Sequence, residues 1–113
     1  MFVERTFVNP TGHASITIVT VTNKLLGFKR QATIPSRLIN GAMIHSYLKG
    51  RMIQDAFPTL NAAEREFILS GMSGAEQEGY FDPPYETIRF PVVDVKYDCQ
   101  VARLKEARRI NLS

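Results

Sequence analysis

The 113-residue sequence predicts a small α+β fold, in which an antiparallel sheet made from an N-terminal hairpin and a C-terminal strand is covered by short helices. Three observations carry this expectation. A β-branched run at residues 14–22 is followed by a cleanly alternating one at 28–34. The middle of the chain is cut into short helical segments by glycine and proline. Extended character then returns at residues 87–97.

In the run "ASITIVTVT" almost every residue restricts χ1, which favours an extended, pleated backbone. Its alternation slips: Ile16 and Ile18 share one face and Val19 and Val21 the other. That slip predicts either a β-bulge at Ile18 and Val19 or a central strand buried on both faces. The next run, "FKRQATI", puts Phe28, Ala32 and Ile34 on one side and Lys29, Gln31 and Thr33 on the other. Between them "NKLLG" supplies Asn23 and Gly27, which tolerate positive φ, so an antiparallel hairpin with a loop of about five residues is expected. "FVERTFV" adds an earlier edge strand, followed by a turn at "NPTG".

Pro35 ends the second hairpin strand, and Ser36 is a candidate cap for the segment after it. Leu38, Met43 or Ala42, Ile44 and Leu48 approximate a helical period, giving a helix over about residues 40–49 that Gly50 stops. "RMIQDAF" sets Met52, Ile53, Ala56 and Phe57 along one stripe of a short helix that Pro58 prevents from continuing. Asn61 caps the next helix, and Glu64, three residues on, completes a capping box; Ala63, Phe67 and Leu60 point to the core, and Gly71 closes the helix in the left-handed conformation. Glu64, Arg65 and Glu66 are thus expected to serve capping and helix-surface pairing. Ser73 caps a further turn. The strand at 87–97 switches phase beside Pro91, which assigns it to an edge or a bulge. Asp98 begins a final helix with Val101, Leu104 and Ala107 inward and Arg103, Lys105 and Arg109 toward water.

Length and ordinary apolar content fit one domain. No run of about 18 apolar residues is present, and Glu4 and Arg5 interrupt the region a signal peptide would need, so a soluble, cytoplasmic protein is expected, with no membrane partner. The lone Cys99 excludes an intrachain disulfide and a cysteine-rich zinc site, and reads as a structural thiol. A net charge of +3 is spread among interspersed signs. Only two places are locally basic: Lys24, Lys29 and Arg30 around the hairpin turn, and Arg103, Lys105, Arg108 and Arg109 in the tail. Both are more readily solvated surface than phosphate sites, and they are the candidate nucleic-acid contacts.

Catalytic constellations are not found. His13 and His45 have no histidine or carboxylate at helical ligand spacing, and Ser46 projects away from His45. "GFKR", "NGAM" and "SGMSG" match neither a P-loop nor a dinucleotide fingerprint. No enzyme, metal or cofactor is expected. The helix from Asn61 carries Glu64 and Glu66 where a DNA-reading helix needs Arg, Lys, Asn or Gln, so sequence-specific base recognition is disfavoured. Aromatic and methionine residues remain as candidate protein contacts: Met72, Tyr80, Phe81 and Tyr85 foremost, with Met43, Tyr47 and Met52 beside them, core packing being the competing role for each.

The segment at residues 50–71, "GRMIQDAFPTLNAAEREFILSG", resembles a motif of small, uncharacterised proteins of bacteriophages and related mobile elements: Gly50, Ile53, Gln54, Pro58, Leu60, Arg65, Glu66, Phe67 and Gly71 carry the match, and Ile34 and Pro35 precede it as in those proteins. The resemblance covers the middle third of the chain and implies a phage-type origin without an activity or site residues. The expected function is that of a non-enzymatic accessory protein that binds, and inhibits or redirects, a host protein complex. A nucleic-acid-binding regulator and a virion component are the alternatives.

Overall fold

The computed structural model describes residues 2–10, 15–79 and 87–96. Among these residues, four antiparallel strands, β1 (Val3–Val8), β2 (Ile16–Asn23), β3 (Phe28–Pro35) and β4 (Val92–Val95), form one sheet in the order β1-β2-β3-β4. Among the described residues, four helices, α1 (Gly41–Leu48), α2 (Ile53–Ala56), α3 (Ala62–Ser70) and α4 (Gly74–Glu78), lie between β3 and β4 in sequence. The α+β class, with short helices packed on an antiparallel sheet, is as the sequence predicts.

β2 is regular where the sequence predicts a bulge or burial on both faces. Its pairing with β3 runs without interruption from Ile16 opposite Pro35 to Asn23 opposite Phe28. Thr17, Val19, Val21 and Asn23 make the buried face, while Ile16 and Ile18 lie half-exposed on the opposite one. The phase slip arises because β-branched residues suit an extended backbone on either face, so side-chain type alone does not report burial here. The two polar residues on the inner face are partnered: Asn9 Nδ2 donates to Thr17 Oγ1 at 3.2 Å, and Asn23 bonds on both sides of its amide. On β3, Ala32 and Ile34 continue the inner face.

The core sits between this face and the helices. Val19, Val21, Ala32 and Ile34 meet Ile39, Phe57, Leu60, Phe67 and Ile68. Phe7, Tyr47 and Phe57 form one aromatic group, with the Tyr47 and Phe57 centroids 5.3 Å apart; Phe67 and Phe90 form an edge-on pair at 5.8 Å.

Local signals place the helices. Asn40, not Ser36, is the N-cap of α1, its side chain accepting from Met43 N; Ser36 lies in the turn after β3, donating to Ser15 O. α1 ends in a Schellman arrangement, with Gly50 N donating to Tyr47 O and Arg51 N to Ser46 O, and Gly50 at φ 104°. Leu48 and Met52, predicted inward, are exposed at this turn. The Asn61–Glu64 capping box and the left-handed Gly71 are present as predicted, and Ser73 and Glu76 form a second capping box on α4.

Within the predicted strand over 87–97, residues 87–91 are a strap across the N-terminus of α3, and among the described residues only Val92–Val95 pair with β3, at the sheet edge. Asn61 Nδ2 donates to Thr87 O at 2.8 Å and Thr33 N to Pro91 O at 3.2 Å, so the phase change at Pro91 marks the passage from strap to strand. The expected helix from Asp98 lies outside the described residues.

Candidate functional site

Strand side chains and a helix end meet at one extremity of the sheet. The last carbonyls of an α-helix have no partners within it. Those of α3 are taken by three adjacent strands. Arg5 of β1 donates from Nε to Ile68 O at 2.6 Å and from Nη2 to Leu69 O at 2.8 Å. Asn23 of β2 donates to Ser70 O at 3.0 Å, and Arg30 of β3 to Gly71 O at 3.0 Å. Two guanidinium groups at the negative end of the helix dipole also have the favourable sign.

Arg30 is committed further. Its guanidinium lies over the Phe28 ring, 3.9 Å from the centroid, pairs with both carboxylate oxygens of Glu76, and reaches Asp94 Oδ1 at 2.8 Å from its opposite position on β4. Burial acts against the Arg30 charge, but the two carboxylates outweigh it and hold its pKa above the ordinary value. Burial likewise acts to raise the pKa of Glu76, yet Arg30 and the Ser73 N–H hold it below the usual carboxylate range.

The hairpin turn projects from this assembly. Asn23, buried at its base, accepts Leu26 N on Oδ1 at 2.9 Å and Gly27 N on its carbonyl at 2.8 Å, while its amide nitrogen holds Ser70 O. Lys24 N donates to Phe2 O at 2.7 Å, and Lys24 Nζ pairs with Glu4 at 2.8 Å. Gly27 has φ 81°, so the turn uses the conformation that glycine tolerates. On this braced loop Leu25 and Leu26 are 68% and 51% exposed, and Phe2, beside them, is 65% exposed.

Of the basic residues predicted around the turn, Arg30 therefore points to the helix-covered face and is bound internally, Lys24 is paired with Glu4, and Lys29 lies on the opposite face of β3. Lys24 and Lys29 share the face opposite the helices, where Lys24 is ion-paired, and Arg30 lies on the other face. Met72, a predicted protein contact, is 7% exposed and packs inside; Met43 and Tyr47 lie against the core. Tyr80, Phe81, Tyr85, Arg103, Lys105, Arg108 and Arg109 lie outside the described residues, as do His13 and Cys99.

Glu64 departs most from expectation. Predicted on an exposed helix surface, it is fully buried. Its Oε2 accepts Arg89 N at 2.8 Å and Arg89 Nε at 3.1 Å, its Oε1 accepts Arg89 Nη2 at 2.8 Å, and the capping box adds Asn61 N at 2.9 Å. Burial alone would raise its pKa; the hydrogen bonds from Arg89 and the two backbone N–H groups hold it below the usual carboxylate range. The pair fastens the strap at residues 87–91 to α3. All its acceptor positions face protein donors, a structural arrangement rather than an open reactive one.

His45 is exposed on α1, and among the described residues no group of three or more His, Cys, Asp or Glu is placed to hold a metal. Buried side-chain polar atoms among them all have partners. No helix of the described residues is long and apolar enough to cross a membrane. No protein-family model, no curated protein and no solved structure matches the chain.

A turn at residues 23–27 is readable from the sequence, but the exposure of its apolar side chains is not. The signal for that exposure lies in Leu25 and Leu26, two consecutive large apolar residues inside a hairpin turn, where polar residues are usual. Arg5 and Asn23, the other strand residues that hold α3, carry no local sign of it.

Proposed function

We propose that the protein is a non-enzymatic binding protein that docks a partner protein through the apolar hairpin turn. The observation that carries this is the exposure of Leu25 and Leu26 on a turn held rigid by buried Asn23. Covering a fully exposed leucine side chain is worth about 1.5–3 kcal/mol, and about two-thirds of Leu25 and half of Leu26 remain to be covered. A braced loop loses little conformational freedom on binding, so more of that gain becomes affinity. The internal pairing of Arg30 and Lys24 weighs against the nucleic-acid alternative, since it leaves Lys29 as the predicted turn cation with no ion pair among those described. The phage-type resemblance of residues 50–71 directs the search to a protein complex of a bacterial host cytoplasm, which binding would inhibit or redirect.

The test places a photo-crosslinking residue at Leu26 and, as control, at exposed Leu48 in α1. In a bacterial lysate the Leu26 probe should label a discrete protein that unlabelled wild type competes away and Leu25→Ser/Leu26→Ser does not. Equal labelling from both positions, or equal competition by the double variant, would refute the reading.

A further inference from the structure

The two edges of the sheet are unlike. β4 has four residues and follows Pro91, features that blunt an edge. β1 has six residues, without proline, and among the described residues no strand pairs with its outer side.

The phase of the β1 ladder follows from two bonds. Lys24 N donates to Phe2 O at 2.7 Å, so Phe2 and Lys24 are a hydrogen-bonded pair continuing the β1–β2 register. Ser36 N donates to Ser15 O at 2.8 Å, which directs the backbone groups of odd-numbered β2 residues to β3 and of even-numbered ones to β1. Hydrogen-bonded and non-hydrogen-bonded pairs alternate in an antiparallel ladder. Glu4, Thr6 and Val8 therefore spend their N–H and C=O groups on β2, while those of Val3, Arg5 and Phe7 point out of the sheet edge. Phe2 and Val8, on the face opposite the helices, are 65% and 54% exposed.

We infer that this edge pairs with β1 of a second copy, antiparallel about a two-fold axis at Thr6, to make one continuous sheet. Like charges and the place of Phe2 together select the register. Shifting the pairing by one step about the axis sets Arg5 opposite Arg5, and a further shift in that direction sets Glu4 opposite Glu4; like charges directly opposite are destabilising. The opposite shift, centred on Phe7, carries Phe2 past Pro10. With Thr6 opposite Thr6, Arg5 meets Phe7 and Glu4 meets Val8. Phe2 meets Pro10 of the second copy at each end, covering an exposed aromatic ring. Pro10 fits there because its position in the alternation directs its backbone toward β2, so the missing N–H is not one the second copy needs. A self-complementary strand is what an isologous two-fold contact requires. This pairing stands on the strand geometry and is independent of what the hairpin turn binds.

Thr6 would then form a non-hydrogen-bonded pair with Thr6 of the second copy, with Cα atoms about 4.5 Å apart, inside the range a disulfide spans. The experiment uses the full chain. Sedimentation across protein concentration should show a monomer–dimer equilibrium. Thr6→Lys should weaken it about 5-fold by opposing like charges at the axis, whereas Thr33→Lys, on the same face of β3, should leave it unchanged. In a Cys99→Ser background, Thr6→Cys should oxidise to a covalent dimer much faster than Thr33→Cys, a readout that holds even if Thr6→Lys proves unstable. A monomer at all concentrations to about 1 mM (a limit near −4 kcal/mol), a dimer insensitive to Thr6→Lys, or equal oxidation of the two cysteine variants would overturn the inference.

Discussion

Gly71→Ala removes no contact and adds only a methyl group, yet it should be among the most damaging substitutions in the chain. Gly71 closes α3 at φ 78° and ψ 4°, a left-handed conformation that costs an L-residue about 1–2 kcal/mol. A Cβ there would lie 2.9 Å from Phe28 Cε1 and 3.1 Å from Val21 Cγ1. Val21 is buried in the sheet, and the Phe28 ring is held under the Arg30 guanidinium, so neither yields freely. Overpacking of that kind costs about 1–3 kcal/mol. The sum, roughly 2–5 kcal/mol, is a large part of the 5–15 kcal/mol of an ordinary domain. With a urea slope of about 2 kcal/mol/M, the unfolding midpoint should fall by about 1–2.5 M. Gly74→Ala, with no atom within 4 Å of its new methyl, is the control and should shift it little. Equal effects of the two substitutions would show that neither the left-handed backbone nor the close packing at Gly71 matters to stability.

Phe67→Ala should cost about 3–5 kcal/mol, because the ring is fully buried against Phe90; an unchanged denaturant midpoint would show that this face of α3 is misassigned. Glu64 and Glu76 have folded pKa values below their unfolded ones, so their stabilisation is complete above the unfolded carboxylate pKa of about 4.3 and is lost as pH falls through the folded values. Midpoints should thus stay level from neutral pH down to about 5 and decline below it, and Glu64→Gln should be less stable at neutral pH with a shallower acid decline. Any binding to mixed-sequence duplex DNA should be weak and steeply salt-dependent, with a log–log slope of about −0.9 per neutralised phosphate. A sequence preference that persists at physiological salt in a competition titration would favour the regulator alternative.

What was legible in the sequence was local. The hairpin follows from a β-branched run, a turn pair and an alternating run. The boundaries of α3 follow from Asn61, Glu64 and Gly71, each acting within four residues of its partner. What escaped was contact between distant segments. Glu64 has the sequence neighbours of a surface carboxylate, and its burial comes from Arg89, 25 residues away. Arg5 and Asn23 reach α3 over 63 and 47 residues. Arg30 alternates correctly onto the inner face, but a charge there reads as turn surface until Glu76 and Asp94 are in place. Ile16 and Ile18 misled for a different reason: β propensity and burial select the same residue types, and only the register separates them. The turn leucines were visible, but they gain meaning only from the bracing of Asn23 beneath them.

Docking through the hairpin turn is tested by a calorimetric titration of the captured partner protein against wild type, Leu25→Ser/Leu26→Ser and the exposed-surface control Leu48→Ser/Met52→Ser, each at low and physiological salt. Leu25 and Leu26 are 68% and 51% exposed in the free chain, so covering what remains is worth about 1–2 and about 0.8–1.5 kcal/mol, and losing both should weaken binding by about 20-fold or more. The control should bind as wild type does, and salt should change the wild-type affinity little, because desolvated apolar contacts are not screened. Affinity unchanged by the turn substitutions, or affinity that collapses with salt, would contradict docking through the hairpin turn.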